Sequence, residues 1–388
     1  MVAIDKKDDK DDKDKGYRTS LAQVIEPEAL HRLGVSAPHT THCLPSGQLM
    51  ISCLGDETGA NKGTFLLIDP PNSSVPNNFT PSKLWNQEAV PFGYDYWYQP
   101  RHDVMVSTEW GAPRAFKQGF SLEHLQAGQY GSSLHFWQWS TGRRLQSLDL
   151  ATLVPGTCMP LEVRFLHEPA AAEGYVGCAL SGNVFRFFKN SESSWTAEEV
   201  IKIEGRPVSG WSLAPTLPAL ITDILLSLDD RFLYLSAWAF GEVRQYDISS
   251  TTSKPQLTSV VRLGGIPATN PSVKVLEEKE ELHPDQIFTE VKGIKLQAGA
   301  QMLQLSLDGA RLYVTNSLHS AWDRQFYPGV VDQGSQLLKI NVDTKGGKGK
   351  MTLDQDFVVD FGQGEPMGPA LAHEMRYPGG DCTSDIWI

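Results

Sequence analysis

Two histidines and a cysteine occur within five residues, as His39, His42 and Cys43. Imidazole is a ligand for copper, zinc, iron and nickel, and an adjacent thiol favours Cu(I) or Zn. In an extended strand, residues three apart point to opposite faces, whereas a loop or a single helical turn would bring the two rings together. The spacing therefore leaves two alternatives open: a metal site and a hydrogen-bonded pair of loop histidines.

Three more histidines lie beside apolar segments, at His102, His167 and His373. If these segments come from different sheets around one axis, the rings converge on a common channel, as a metal site requires. We predict His39, His42 and His373 as metal ligands, followed by His102 and His167. The alternative for each is a structural histidine with ordinary hydrogen bonds.

Charged side chains also stand beside aromatic or apolar segments, namely Arg101, Glu109, Arg164 and Arg376. Buried charges need partners. We predict that these four residues contact the metal ligands and hold them in orientation. A structural ion-pair network is the alternative.

Five cysteines, an odd number spread along the chain, fit reduced thiols in a cytosolic protein. The candidates for a reactive thiol are Cys43, next to a histidine, and Cys382, after two glycines. Cys53 and Cys178 lie in apolar segments and are predicted to be inert core residues.

The elements that must position these side chains are predicted to be β-strands. The chain has 34 Gly and 24 Pro, and short apolar or alternating runs recur between turn residues. The sequence S-L-D-D at 227–230 recurs as S-L-D-G at 306–309, each time between two apolar runs. Repeated hairpins that must bury aromatics on both faces favour an all-β fold, a β-propeller with these turns in separate blades. A sandwich with two similar hairpins is the alternative.

Composition excludes some classes of function. The net charge of −12 argues against nucleic acid as a partner, and no apolar run is long enough to span a bilayer. Residues 5–15 consist only of Asp and Lys. We predict a disordered charged tail over residues 1–20 and a propeller domain over residues 21–388.

Several long sequence segments carry a resemblance to a known family. They are H-T-T-H-C-L at 39–44, G-Y-D-Y-W-Y-Q-P-R-H at 93–102, I-T-D-I-L-L-S-L-D-D-R-F-L-Y at 221–234 and H-E-M-R-Y-P-G-G-D-C at 373–382. With them the chain, from about Leu21 to Ile388, closely resembles the selenium-binding protein family, whose vertebrate members are methanethiol oxidases.

The resemblance implies a seven-bladed propeller and a copper-dependent oxidation in which methanethiol, O2 and water give formaldehyde, hydrogen sulfide and hydrogen peroxide. A small thiol and O2 are thus the expected partners. It also implies selenium binding through a cysteine, a location in the cytosol and nucleus with peripheral membrane association, and a part in intra-Golgi transport.

Members of that family carry roughly a hundred further residues ahead of the segment that matches Leu21, which corresponds to about two blades. An adjacent His-His pair for copper and the usual selenium cysteine lie in that part. We therefore expect this chain to lack about two N-terminal blades and both of these features.

Two classes of function stay open: a copper-dependent thiol oxidase and a non-catalytic scaffold for selenium compounds or intracellular-transport partners. A third class, a lactonase-type hydrolase, is supported by the repeated S-L-D sequence alone.

Overall fold

The structure, a computed structural model, describes residues 2–6, 17–73, 78–250, 254–277, 286–345, 349–363 and 368–377. Within these residues, five sheets of four or five strands follow one another along the chain, and we call them blades 1 to 5. The prediction of an all-β propeller is confirmed. The resemblance implied seven blades, of which about two were expected to be absent, and five blades are described.

The first two blades come from the first 150 residues. Blade 1 contains β3 (Ser36–Cys43), β4 (Leu49–Gly55), β5 (Asn61–Asp69) and β6 (Thr80–Leu84). Blade 2 contains β7 (Tyr96–Gln99), β8 (Val104–Ser107), β9 (Ser133–Gln138) and β10 (Arg143–Asp149).

The remaining three blades follow the same meander. Blade 3 contains β11 (Pro160–Phe165), β12 (Glu173–Cys178), β13 (Asn183–Lys189) and β14 (Trp195–Lys202). Blade 4 contains β17 (Ile221–Leu226), β18 (Phe232–Ala237), β19 (Glu242–Asp247) and β20 (Gln256–Leu263), with β22 (Ile287–Phe288) added in parallel. Blade 5 contains β25 (Leu303–Leu305), β26 (Arg311–Thr315), β27 (Gln336–Asp343) and β28 (Lys350–Asp360).

Short elements join the blades. The small strands are β1 (Val2–Lys6) with β2 (Tyr17–Leu21), β15 (Arg206–Ser209) with β16 (Thr216–Leu217) and β21 (Lys274–Val275), and β23 (Glu290–Val291) with β24 (Ile294–Lys295). The helices are α1 (Pro27–His31), α2 (Pro113–Phe116), α3 (Leu122–Gln126), α4 (Leu150–Leu153), α5 (Ile266–Thr269), α6 (Ser320–Phe326) and α7 (Pro328–Gln333), with 3-10 turns at Pro100–His102 and Phe361–Gln363.

Aromatic side chains fill the interfaces between neighbouring blades. Phe136 of β9 stacks on Trp195 of β14 at 4.7 Å, which joins blades 2 and 3. Tyr96 of β7 packs against Phe65 of β5 at 5.2 Å, which joins blades 1 and 2. The innermost strands β7, β11, β17 and β25 contact one another in sequence around the channel. The blades are thus held face to face by apolar burial, and the channel between them is left for polar groups.

The two S-L-D turns lie in equivalent hairpins of separate blades, as predicted. Asp229 lies between β17 and β18, and Asp308 lies between β25 and β26. In both turns the serine hydroxyl donates to the aspartate two residues on at 2.5 Å. The same hydroxyl accepts the backbone N–H five residues on. Residues 264–302, which contain α5 and the short strands β21 to β24, account for the wide spacing of the repeats, and the described part of this stretch contains no further blade.

The predicted tail over residues 1–20 is only partly described. β1 pairs antiparallel with β2 in a two-stranded sheet. Residues 7–16, which hold most of the charge run, lie outside the described residues, and disorder there stays a prediction. Among the described residues, none of the helices is long and apolar enough to cross a membrane.

Candidate functional site

A cavity of about 1160 Å³ occupies the channel between the innermost strands. All five blades contribute to its walls. The polar and charged side chains that line it are His39, Thr40, Thr41, His42, Cys43, Asp95, Lys117, Glu162, Arg164, Thr222, His319, His373, Glu374 and Arg376. Its aromatic wall contains Tyr94, Trp97, Tyr98, Trp110, Phe116 and Trp322.

A bulge in β3 brings His39 and His42 to the same cavity. Pro38 pairs with Cys53 of β4, and the next pair joins Thr41 to Ile51, so β3 holds one more residue than β4 between them. An extra residue changes which side chains face inward, and bulges commonly re-aim side chains beside active sites. Both rings therefore reach the cavity from a bulged strand, and not from the loop or the helical turn that the sequence suggested.

The rings of His39 and His42 pack against the aromatic wall. His39 lies 4.1 Å from the Tyr94 ring, and its Nδ1 lies 3.0 Å from the Thr40 hydroxyl. His42 lies 4.6 Å from the Tyr96 ring and meets the edge of Trp97 at 5.5 Å. Each imidazole is thus fixed in orientation by ring contacts rather than by charge.

Both imidazoles are neutral at physiological pH. Burial lowers the pKa of His39 to about 4, helped by the His373 ring, and burial lowers the pKa of His42 to about 3. By surface area both rings are only half-buried, because they border the cavity. The aromatic rings packed against each imidazole take the place of water there, so a charged ring would be poorly solvated. Neutral imidazole is the form that binds a metal or accepts a hydrogen bond.

Two more histidines reach the cavity from blade 5 and the segment after it. His373 Nδ1 lies 3.0 Å from the Ser317 carbonyl, and Thr315 donates to the His373 carbonyl at 2.5 Å. His319 precedes α6, and burial followed by the His373 charge lowers its pKa. His319 Nδ1 has no hydrogen-bond partner within the described part of the chain. His319 was not among the predicted ligands, because nothing in its local sequence distinguishes it from an ordinary loop residue.

Loops from opposite blades close this side of the cavity. Trp322 of α6 donates its indole N–H to the Phe116 carbonyl of α2 at 2.9 Å. Gln325 exchanges hydrogen bonds of 2.8 and 2.9 Å with the backbone of Phe120. These bonds join the β8–β9 connection of blade 2 to the β26–β27 connection of blade 5.

The structure places the other two predicted ligands elsewhere. His102 ends a 3-10 turn, and its Nε2 contacts the Ala170 carbonyl at 3.0 Å. His167 contacts the Asp230 carboxylate at 3.0 Å in the loop after β11. Neither ring lines the cavity. Both have structural hydrogen bonds, which was the alternative stated for each.

The four predicted supporting charges divide in the same way. Arg164 and Arg376 line the cavity, and Arg376 pairs with Glu374 at 2.6 Å. Arg101 is exposed on the 3-10 turn. Glu109 is buried outside the cavity lining, where it pairs with His135 at 2.9 Å. Glu109 also accepts the backbone N–H groups that begin β9, so its role is to hold β9 to the end of β8.

Arg164 is the centre of a buried charge cluster. Its guanidinium lies 2.8 Å from Asp95, 2.9 Å from Glu162 and 3.8 Å from Asp223. It also packs over the ring of Trp97 at 4.6 Å. Burial opposes ionisation of Asp95, but the Arg164 charge and the hydrogen bond from the Val163 backbone, with smaller contributions from neighbouring groups, together outweigh it, and the pKa of Asp95 is lowered. The wall beside His42 is therefore strongly polar although little water reaches it.

The other two carboxyls of this cluster behave differently from Asp95. Burial and the Asp95 charge raise the pKa of Glu162 well above its ordinary value, and burial raises the pKa of Asp223 to about 7. The sequence contains a signal for Asp223, which is an acid within the apolar run of β17. No such signal shows that Asp95, Glu162 and Asp223 meet, because they come from three blades.

Bulges also mark the inner strands that supply the acids. β11 pairs Pro160 with Cys178 and then Val163 with Val176, so Leu161 and Glu162 fall in the irregular stretch. β17 pairs Ile221 with Ala237 and then Asp223 with Ser236. Local irregularity at the channel is thus shared by blades 1, 3 and 4.

The cysteines follow their predicted burial. Cys43 is exposed at the cavity, whereas Cys53 and Cys178 are buried. Burial raises the pKa of Cys53 to about 12 and that of Cys178 well above its ordinary value, which keeps both as thiols. Cys382 lies outside the described residues, so its role as a reactive thiol stays a prediction.

The cavity contains ligand types that suit copper, namely neutral imidazoles and a thiol. In the described ranges, however, no three His, Cys, Asp or Glu side chains are grouped closely enough to hold a metal ion. The arrangement therefore does not fit a formed metal site, although His39, His42 and His373 share one cavity.

Comparison with known proteins gives consistent matches. The sequence model of the 56kDa selenium binding protein family matches residues 4–388. A methanethiol oxidase of Xenopus tropicalis is 53% identical over 370 residues, which cover 95% of this chain and 75% of that protein. Selenium-binding protein 2 of Mus musculus is 51% identical over 372 residues, with the same coverage of both chains. The crystal structure of a hypothetical selenium-binding protein from Sulfolobus tokodaii superposes with a TM-score of 0.78 at 35% identity, covering 95% of this chain and 74% of the other.

Proposed function

This chain belongs to the 56 kDa selenium-binding protein family, and from that premise we propose that it oxidises methanethiol in the cavity of its propeller. Dioxygen would accept the electrons, and the products would be formaldehyde, hydrogen sulfide and hydrogen peroxide. One observation carries the proposal: the family's H-T-T-H-C motif lines an aromatic-walled cavity with both imidazoles neutral.

The walls supply what a small thiol needs. Aromatic rings offer favourable contacts to sulfur and to a methyl group. Tyr94, Trp97 and Trp110 provide such surfaces beside the histidines. Neutral His39 and His42 can accept a hydrogen bond from an S–H group.

Copper is part of the proposal as the cofactor expected from the family. His39, His42 and His373 are the residues that we propose to bind it. The described side chains are not grouped as a metal site, so no step of the reaction is derived through the metal. Metal analysis of the purified chain tests this part alone.

Selenium binding is proposed on the same family basis. Cys43 is the exposed thiol of the cavity and is the candidate for attachment. We propose a location in the cytosol, in keeping with four described cysteines that are all free. Presence in the nucleus, peripheral membrane association and a part in transport stay predictions from the resemblance.

Matched histidine variants test the proposed oxidation. His42→Gln changes a cavity ring, whereas His102→Gln makes the same change outside the cavity. We expect hydrogen sulfide and peroxide release from methanethiol to fall at least tenfold in the first variant and to stay unchanged in the second. A wild-type chain that binds selenium compounds but releases neither product would support the scaffold alternative and contradict the oxidase.

A further inference from the structure

Glu162 lies in the cavity wall within a group that contains more acids than bases. The carboxyls of Asp95, Glu162 and Asp223 surround the guanidinium of Arg164, and the four side chains are at most 7% exposed. If all were ionised, the group would hold two negative charges in excess, and each such buried charge costs several kcal/mol. A proton retained on one carboxyl removes much of that cost.

The hydrogen bonds assign this proton to Glu162. Asp95 accepts from Arg164 at 2.8 Å and from a backbone N–H of β11 at 3.0 Å, as an ionised carboxylate does. Asp223 accepts a backbone N–H of β25 at 2.7 Å. Glu162 accepts from Arg164 at 2.9 Å and thus shares one guanidinium with Asp95, and a proton on Glu162 removes the repulsion between the two carboxyls.

Most of the other groups that face Glu162 are acidic. Tyr94 and Asp95 face it from the residues ahead of β7, Asp223 faces it from β17, and Arg164 is its neighbour on β11. Glu374 adds negative charge near Asp223. Arg164 is the cation among them, and its charge is shared by all three carboxyls.

The acid lies at the histidine end of the cavity. Arg164 covers the face of Trp97 at 4.6 Å, and His42 meets the edge of the same ring at 5.5 Å. Glu162, Trp97 and His42 all line the cavity. A thiol bound against the histidines is therefore close to a wall that carries a transferable proton.

We propose that Glu162 is the proton donor and acceptor of this cavity during thiol oxidation, a role that rests on the proposed function. Each turnover removes two electrons and two protons from methanethiol, one proton from sulfur and one from carbon, and dioxygen becomes hydrogen peroxide. The O–H bond of the Glu162 carboxyl breaks as one O–H bond of the peroxide forms, and the hydrogen that leaves carbon forms the other. The carboxylate then takes the S–H proton of a thiol, and water adds to the carbon–sulfur double bond to give formaldehyde and hydrogen sulfide.

Three variants separate this role from a structural one. Glu162→Gln keeps a neutral hydrogen-bonding group but has no transferable proton, whereas Glu162→Asp keeps the acid. Glu198→Gln makes the same chemical change on the outer strand of the same blade, where that side chain is 53% exposed. Infrared spectra of the protein alone, recorded against pH, follow the carboxylic-acid C=O band, and methanethiol oxidation is measured over the same pH range.

Because the pKa of Asp223 is about 7, the band is compared above about pH 8, where Asp223 is mostly ionised. There we expect the acid band in the wild type and in Glu198→Gln, and we expect Glu162→Gln to lack it. The oxidation rate should fall about a hundredfold in Glu162→Gln, with loss of the alkaline limb of the pH profile, and Glu162→Asp should recover much of the rate.

A band that persists in Glu162→Gln, or that is missing in the wild type, would overturn the assignment of the proton. A full rate in Glu162→Gln would overturn the catalytic role and leave the proposed function standing. A wild type that oxidises no thiol would overturn both, and the infrared band would then report a structural proton only.

Discussion

Replacing Arg164 with methionine would remove the guanidinium from the buried charge cluster while keeping a side chain that packs on Trp97. The structure places this guanidinium 2.8 Å from ionised Asp95 and 2.9 Å from the Glu162 carboxyl, and all three side chains are almost fully buried. Breaking a buried pair by removing one partner costs about 3–5 kcal/mol. We expect R164M to lose that much free energy of unfolding near pH 7.

The loss should depend on pH in a defined direction. In the wild type the pKa of Asp95 is lowered, so its contribution to stability is present above the ordinary carboxyl pKa and disappears in acid. Without Arg164, burial is no longer opposed, the pKa of Asp95 in the folded state rises, and the folded state becomes less stable as pH increases. The difference between variant and wild type should thus be largest near pH 7–8 and shrink towards about pH 4.

Urea unfolding followed by tryptophan fluorescence at several pH values measures this difference. Arg144→Met is a matched control, because Arg144 forms a partly exposed pair with Glu88 at 3.1 Å and should lose no more than about 1 kcal/mol. A deficit in R164M as small as in the control, or one that does not change with pH, would refute the reasoning.

The other predictions concern single sites. Iodoacetamide should alkylate exposed Cys43 well before Cys53 and Cys178, because burial raises the pKa of both buried thiols. Peptide mapping over time measures the three alkylation rates, and equal rates would contradict this prediction. Ser306→Ala should cost about 1 kcal/mol, because its hydroxyl bridges the S-L-D-G turn, and an unchanged urea midpoint would argue against that bridge. At Glu242, burial is outweighed by three arginines together, which lower the pKa to about 2. The stabilisation by this carboxylate is therefore present above pH 4.5 and is lost as pH falls towards 2. Glu242→Gln should flatten the profile of acid unfolding, and a profile as steep as that of the wild type would be inconsistent with this.

The blades were predictable because each strand carries its own signal. Apolar runs of strand length between turn residues, and the repeated serine–aspartate turn, depend only on residues close in sequence. Asp229 and Asp308 accordingly lie in matching hairpins.

The site was less predictable because it depends on pairing between distant residues. The inward orientation of both His39 and His42 results from a bulge, which is defined by the partner strand β4 and not by β3 itself. His102 resembled a channel histidine because it adjoins the apolar strand β8, but it lies on the turn that precedes that strand. The acids around Arg164 come from three blades, and Asp95 is 69 residues away in sequence.

The measurement that tests the proposed oxidation most directly is the stoichiometry of products from the purified wild-type chain supplied with methanethiol and dioxygen. We predict equal amounts of hydrogen sulfide, hydrogen peroxide and formaldehyde, formed with equal consumption of dioxygen and suppressed in His42→Gln. Uptake of methanethiol without consumption of dioxygen, or the same product release from His42→Gln as from the wild type, would contradict thiol oxidation in this cavity.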